Sequence, residues 1–182
     1  MNNKNQALIT ISEFLQSEER GLLITGTNQY KKHLLIMAAL DMYYKNAKIL
    51  FRINALQNTT DRNFVGLQKQ PKAGETVQIG NNSYQFDAIF NRGTWHKSGI
   101  DFDFAIVYPL DALSSERNIE PIADIVNNKR PGKLFLCSWT DNGEYDYGIF
   151  SDFFSAHVVY DAEEEDAAYH QRVLDSINRR KR

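Results

Sequence analysis

The chain of 182 residues has few of the features that cross-link a protein or attach it to a membrane. Its one cysteine, Cys137, excludes an intramolecular disulfide framework and fits a reducing compartment. No apolar run approaches the roughly 18 residues of a membrane span, and the asparagine-rich N-terminus does not have the pattern of a signal peptide. We therefore expect a cytoplasmic protein that does not associate with membranes.

Net charge is also small. The chain carries 21 Lys and Arg against 23 Asp and Glu, so its formal net charge is −2. Such a balance gives no global attraction to nucleic acid, although the last four residues, Arg179–Arg182, form a basic end. The length predicts one domain over residues 1–182.

Short apolar runs alternate with helical patterns along the chain. The runs predict strands at residues 21–25, 48–53, 104–108, 133–138 and 156–160. Between them, apolar residues at spacings of three and four predict a helix before the first strand and others at about 30–46, 119–126 and 162–178, the last with Glu163–Asp166 in its first turn. Continuously apolar strands are typical of a sheet covered on both faces. The pattern predicts an α/β three-layer sandwich with a mostly parallel sheet.

One segment departs from this alternation. Residues 75–79 and 83–87 alternate apolar and polar side chains, and Gly80-Asn81-Asn82 between them is typical of a tight turn. The segment predicts a β-hairpin. We interpret residues 68–99 as an insertion at an edge of the sheet and not as a second domain.

The turn after the first strand, Gly26–His33, is where an α/β protein can hold a phosphate at a helix N-terminus. A phosphate loop has Gly, four residues, Gly, Lys and then Ser or Thr. Gly26 and Lys32 have the right spacing, but Lys31 replaces the second glycine and His33 replaces the hydroxyl that binds magnesium. The phosphate-binding candidates are Gly26, Thr27, Asn28, Gln29, Lys31, Lys32 and His33.

With this loop in place, the order of the runs resembles the first RecA-like lobe of superfamily 2 helicases and related P-loop ATPases, over about residues 20–160. In that resemblance, the acidic Asp-Glu-x-Asp/His box falls on Tyr108-Pro109-Leu110-Asp111, where only the last acid is kept. The Ser-Ala-Thr box falls on Ser138-Trp139-Thr140, where both hydroxyls are kept and a bulky Trp is inserted. The resemblance implies a RecA-like fold with degenerate nucleotide motifs.

The losses in the loop and in the acidic box affect the same chemistry. Phosphoryl transfer to water depends on positioning and on metal-assisted charge stabilisation. Without a hydroxyl and a carboxylate for magnesium, we expect no efficient ATP hydrolysis and assign no catalytic residue. No cofactor is firmly expected, and ATP remains a weak alternative. Helicase motors close on nucleotide between two lobes, so we do not expect this single lobe to be a motor.

A second candidate region is the loop at residues 91–97. It combines Arg92, Trp95, His96 and Lys97 with a glycine. An aromatic ring beside cations suits stacking on a base with phosphates nearby, and it equally suits a protein interface or a plain surface loop. We regard these four residues as candidates for contact with a partner protein or nucleic acid. The acids Asp101, Asp103 and Asp111 flank one strand and offer a weaker metal-binding alternative.

The sequence therefore favours a catalytically decayed, RecA-like P-loop domain that acts as a binding or assembly module in a bacterial nucleic-acid-handling complex. A protein partner or self-association is expected, and nucleic acid is a possible ligand. Two alternatives stay open. One is a nucleotide-binding NTPase with non-standard motifs that a partner chain completes. The other is a nucleic-acid-binding accessory domain that uses the 91–99 loop and the basic tail.

Overall fold

The fold was analysed in a computed structural model that describes residues 2–141 and 145–180. Its strands are β1 (Gly21–Thr25), β2 (Lys48–Ile53), β3 (Thr76–Ile79), β4 (Asn82–Ala88), β5 (Phe104–Tyr108), β6 (Lys133–Cys137) and β7 (Ala156–Val159). They form one sheet in the order β3-β4-β2-β5-β6-β1-β7. All neighbouring strands are parallel except the antiparallel pair β3 and β4. The expected mostly parallel sheet is confirmed.

Helices cover both faces of this sheet. They are α1 (Lys4–Gln16), α2 (Lys32–Tyr43), α3 (Arg92–Trp95), α4 (Asp111–Ser115), α5 (Glu120–Asp124) and α6 (Ala167–Arg180). Helices α1 and α2 contribute Ile11 and Ile36 to the hydrophobic cluster on one face. On the other face, a second cluster contains Leu113 of α4, Ile122 of α5 and Phe150 of the 3₁₀ segment Tyr147–Phe153. Two cores on either side of one sheet make the predicted three-layer sandwich.

The predicted β-hairpin is present and lengthens the main sheet. Strand β4 pairs in parallel with β2 from Lys48–Ser83 to Ile53–Ala88, and its Tyr84 and Phe86 are buried. Strand β3 pairs with β4 alone and forms the edge. The turn is held by Asp41 of α2, whose Oδ1 accepts the Asn81 N–H at 2.5 Å. The hairpin therefore belongs to the main sheet through β4. The sequence predicted it only as an insertion at the edge of the sheet.

The last helix begins later than its apolar spacing predicts. Residues 163–165 form a turn, and α6 starts at Ala167 with no acid in its first turn. The Asp166 carboxylate accepts the Tyr169 N–H at 2.8 Å, which is the bond of an N-cap residue. The expectation that Glu163–Asp166 form the first turn is wrong, because capping by Asp166 fixes the helix start.

Trp95 is buried in the core, contrary to the expectation of an exposed aromatic loop. Its side chain is 5% exposed, and its indole N–H donates to the Ala88 carbonyl at 2.7 Å. The Arg52 guanidinium lies 4.3 Å from the centre of the ring and is itself bound by both carboxylate oxygens of Asp87 at 2.7 Å. The buried Arg52 of β2, which makes two hydrogen bonds to Asp87, thus packs on the indole ring of Trp95. The sequence had placed that ring at the surface.

Replacing Trp95 therefore tests its place in the core. We expect Trp95→Ala to lower the free energy of unfolding by about 3–5 kcal/mol, because it leaves a large cavity under a buried cation. The matched control is Arg92→Ala in the same helix, whose side chain is 68% exposed and pairs with Glu120. We expect that change to stay within about 0.5 kcal/mol in urea unfolding. Equal losses for both variants would contradict the buried placement of Trp95.

Candidate functional site

The candidate site lies where β1 and β6 end side by side. Helix α2 follows β1 and packs on one face of the sheet, whereas the segment Tyr147–Phe153 after β6 packs on the other. Adjacent parallel strands whose connections leave to opposite faces open a crevice at their carboxyl ends, which is the usual ligand site of open α/β sheets. The predicted phosphate loop and the Ser138-Trp139-Thr140 box both border this crevice.

Four consecutive backbone N–H groups of the loop, those of residues 26–29, donate to acceptors from the chain itself. In order along the loop, the acceptors are the Asp141 carboxylate, Asp161 Oδ1 at 2.8 Å, the Tyr160 carbonyl at 3.2 Å and the Tyr169 hydroxyl at 3.3 Å. In a phosphate loop, N–H groups of the loop and of the following helix N-terminus face the anion. Here the N–H groups of residues 26–29 bind protein oxygen atoms.

Three of those acceptors belong to residues 160–170, which we call the C-terminal clasp. Its side chains add further bonds to the loop. The Thr27 hydroxyl accepts the Ala162 N–H at 3.0 Å and pairs with His170 Nδ1 at 2.6 Å. The Tyr169 hydroxyl donates to Gln29 Oε1 at 2.9 Å. The clasp therefore closes over the loop through main-chain and side-chain bonds.

Gly26 is needed for this close approach. Its φ of +116° is a conformation that side chains other than glycine rarely adopt, and a Cβ here would lie 2.2 Å from the Tyr160 carbonyl oxygen. The glycine that the phosphate-loop spacing requires thus also lets the clasp reach the loop.

The two lysines of the loop differ in environment. Lys31 is half-exposed and pairs with Glu165 of the clasp at 2.6 Å. Lys32 is fully buried and donates to the Trp139 carbonyl at 3.2 Å. Burial lowers the pKa of Lys32, and the nearby carboxylates of Asp141 and Asp111 oppose that shift. Both ammonium groups are bonded within the chain.

Asp111, the one acid kept in the acidic box, joins the two boxes. Its buried carboxylate accepts the N–H groups of Trp139 at 2.5 Å and Thr140 at 2.8 Å. Burial raises its pKa, and these two bonds act against the rise. Asp111 therefore fixes the turn after β6 in place.

Asp141 is the residue that the sequence did not single out. It accepts the Ser138 hydroxyl at 2.6 Å on one carboxylate oxygen and the Gly26 N–H on the other. It therefore connects the turn after β6 to the first residue of the loop. Its position directly after Ser138-Trp139-Thr140 is the one sequence signal that could have found it.

His33 stands where a phosphate loop has its magnesium-binding hydroxyl. Its Nε2–H donates to the Phe64 carbonyl at 3.0 Å, and its ring packs against Phe64 at 4.6 Å and Tyr108 at 4.4 Å between centroids. Burial lowers its pKa to about 4. A neutral, enclosed imidazole offers no oxygen to magnesium, which prefers oxygen ligands.

The remaining candidates lie away from this crevice. Arg92, His96 and Lys97 are exposed around α3, and a contact role for them stays a prediction. Asp103 precedes β5 and Asp111 follows it, so they lie at opposite ends of the strand. Within residues 2–141 and 145–180 no group of three acidic, His or Cys side chains could hold a metal. Of the basic tail, Lys181 and Arg182 lie outside the described residues.

Comparison with known proteins finds similarity of fold alone. No family model matches the chain, and no curated protein matches it. A solved structure of the large terminase from a thermophilic bacteriophage superposes with a TM-score of 0.61 at 10% identity, over 94% of this chain and 48% of that one. A second structure of that terminase, in complex with ADP, gives 0.57 at 11% identity, over 97% and 49%.

The chain has a RecA-like, P-loop-type α/β fold. It spans about half the length of the terminase chains that it matches. The narrower likeness to superfamily 2 helicases stays a prediction. In the part of the chain that the structure describes, none of the helices is long and apolar enough to cross a membrane.

The pKa of His33 predicts how stability depends on pH. The unfolded side chain takes up a proton near pH 6.5 and the folded one only near pH 4, so acid favours the unfolded chain. The contribution of neutral His33 to the free energy of unfolding is fully present above pH 6.5. It falls by about 3 kcal/mol as the pH drops towards 4. His33→Gln keeps a donor for the Phe64 carbonyl but does not titrate. In urea unfolding between pH 7.5 and 4, the native chain should lose about 3 kcal/mol more than this variant. Parallel pH profiles would show that His33 is not buried neutral.

Proposed function

We propose that this domain is a catalytically inactive P-loop-type module that binds or assembles with partners in a bacterial nucleic-acid-handling complex. The fold neighbours support the scaffold, since both are structures of a large terminase. The observation that carries the loss of activity is the bonding of four loop N–H groups to the chain's own acceptors.

A nucleotide would have to displace those acceptors before its phosphates could reach the loop. Two of them are the carboxylates of Asp141 and Asp161, which repel an anion at the same place. Each N–H group released without a new partner costs about 1–3 kcal/mol when buried. Phosphate binding at residues 26–29 therefore competes with bonds that these four N–H groups already make.

The residues that would activate water are also absent at their expected places. Tyr108 ends β5 where the resemblance has the magnesium-binding acid, and its hydroxyl donates to the Gln29 carbonyl at 3.0 Å. Pro109 follows where it has the general base. Hydrolysis of a phosphoanhydride depends on metal positioning and charge stabilisation, and neither Tyr108 nor Pro109 has a carboxylate that could hold a metal ion or activate water.

A second candidate is a nucleotide-binding NTPase that a partner chain completes. Two observations favour it: one neighbour structure is a complex with ADP, and Gly26 and Lys32 keep the phosphate-loop spacing. It requires that the C-terminal clasp move away and that Lys32 exchange the Trp139 carbonyl for a phosphate.

Phosphate release with magnesium and ATP separates the two candidates. We expect the rate to stay at background for the native chain, because the metal ligands are missing, and to be the same for Lys32→Met. The neighbouring Lys31→Met is the matched control, since the Lys31 side chain is 55% exposed and pairs with Glu165. A steady rate that Lys32→Met abolishes and Lys31→Met retains would contradict the inactive module and favour the NTPase.

A further inference from the structure

A cavity of about 220 Å³ opens beside the phosphate loop, at the carboxyl ends of β2, β5 and β6. We call it the amide pocket, after the three asparagines in its lining. The residues that characterise it are Tyr30, Asn54, Asn58, Asp61, Asn63 and Trp139. It is smaller than the roughly 300–1,000 Å³ of pockets for drug-sized ligands. Its size therefore suits a single planar ring system.

Two exposed aromatic rings form the rim of the amide pocket. Trp139 is 40% exposed and Tyr30 47%, and their centroids are 6.2 Å apart in an edge-to-face arrangement. The main chain of Trp139 is fixed on both sides, because its N–H binds Asp111 and its carbonyl binds Lys32. The indole is thus an exposed flat surface on a fixed backbone.

Hydrogen-bonding groups of both kinds line the wall. Asn58 Nδ2 donates to Asn54 Oδ1 at 2.6 Å, which directs the Asn58 carbonyl and the Asn54 amide group to other partners. Asp61 Oδ1 accepts the Asn63 N–H at 2.8 Å, and Asp61 lines the cavity with its carboxylate group. A ligand edge that carries both donors and acceptors matches this wall.

The floor is apolar and neutral. Phe64 is buried there and stacks on His33, whose pKa of about 4 leaves it uncharged near neutral pH. The residues that line the cavity include no Lys or Arg in the described part of the chain, and their one charge is the Asp61 carboxylate. The amide pocket therefore offers nothing that selects a phosphate.

We propose that the amide pocket binds one unpaired nucleobase. Bases stack on aromatic side chains, and asparagine and carboxylate groups pair with their polar edges. An aromatic rim, a wall of amides and a carboxylate, and a volume for one ring system meet these requirements together. The inference rests on the proposed function in that it names a ligand class for the module. The base comes either from a single strand or from a free nucleoside, and both sources share this chemistry.

Tryptophan fluorescence reports on the site directly, because Trp139 is exposed and the only other tryptophan, Trp95, is buried. The probes are adenosine, a single-stranded deoxyadenosine 10-mer and the same 10-mer paired with its complement. We expect adenosine and the single strand to quench the emission and the duplex to leave it unchanged. Tenfold tighter binding of the single strand than of adenosine identifies a strand as the source, and equal affinities identify a free nucleoside. Absence of quenching, or equal quenching by the duplex, would overturn the proposal.

Variants then locate the binding, measured by anisotropy of the fluorescein-labelled 10-mer. We expect Trp139→Ala to weaken binding about tenfold through lost stacking. Tyr43→Ala, which removes an exposed aromatic on α2, is the matched control and should bind normally. Native affinity in Trp139→Ala, or loss only in Lys32→Met, would overturn the proposal, the latter by placing the ligand at the phosphate loop. Adenosine carries no phosphate, so this result is independent of the hydrolysis assay.

Discussion

The arrangement of the crevice depends on the hydrogen bonds that hold the N–H groups of residues 26–29. They come from two distant parts of the chain, Asp141 after β6 and the C-terminal clasp after β7. Because an unpaired buried N–H group costs about 1–3 kcal/mol, these bonds keep the clasp in place. The same bonds keep the loop in one conformation. Through these bonds the start of the loop connects β1 to the turn after β6 and to the last helix.

That constraint also accounts for the neighbouring side chains. With the Asp141 carboxylate at the end of the loop, the buried Lys32 lies near two acids, Asp141 and Asp111, and donates to a carbonyl. Asp111 in turn fixes the main chain at Trp139, which leaves the indole at the surface. The positions that carry the nucleotide motifs in the resemblance thus lie here beside an exposed aromatic and a row of amides. This is why we propose binding, and not hydrolysis, for this edge of the sheet.

The sequence predicts the sheet well because its signal is local. The runs at 21–25, 48–53 and 104–108 coincide with β1, β2 and β5, since strands covered on both faces need continuous apolar residues. Whether a single aromatic side chain is exposed depends on contacts with distant residues, and not on the local sequence. Trp95 is buried because Arg52 of the distant strand β2 stacks on it, and Trp139 is exposed because of where Asp111 holds its backbone. The pattern of residues 91–97 gives no sign of the contact between Trp95 and Arg52, and the sequence around Trp139 gives none of its contact with Asp111.

The sequence predicts where the candidate site lies, but not which groups bind the N–H groups of its loop. The spacing of Gly26 and Lys32 predicts the loop, and these residues lie at the turn between β1 and α2. Its acceptors are Asp161, 134 residues away, and Asp141, 115 residues away, and no spacing rule connects them to the loop. Long-range hydrogen bonds of this kind follow from the topology, in which β1 lies between β6 and β7.

The most direct test of the central claim is amide hydrogen exchange at residues 26–29, followed by NMR with and without magnesium and ADP. If the chain's own acceptors hold these groups, they exchange in the free protein as slowly as the amides of β1, and ADP does not change their rates. Fast exchange in the free protein, with protection that appears only when ADP is added, would contradict the account, because it would show a loop that is open and waiting for phosphate.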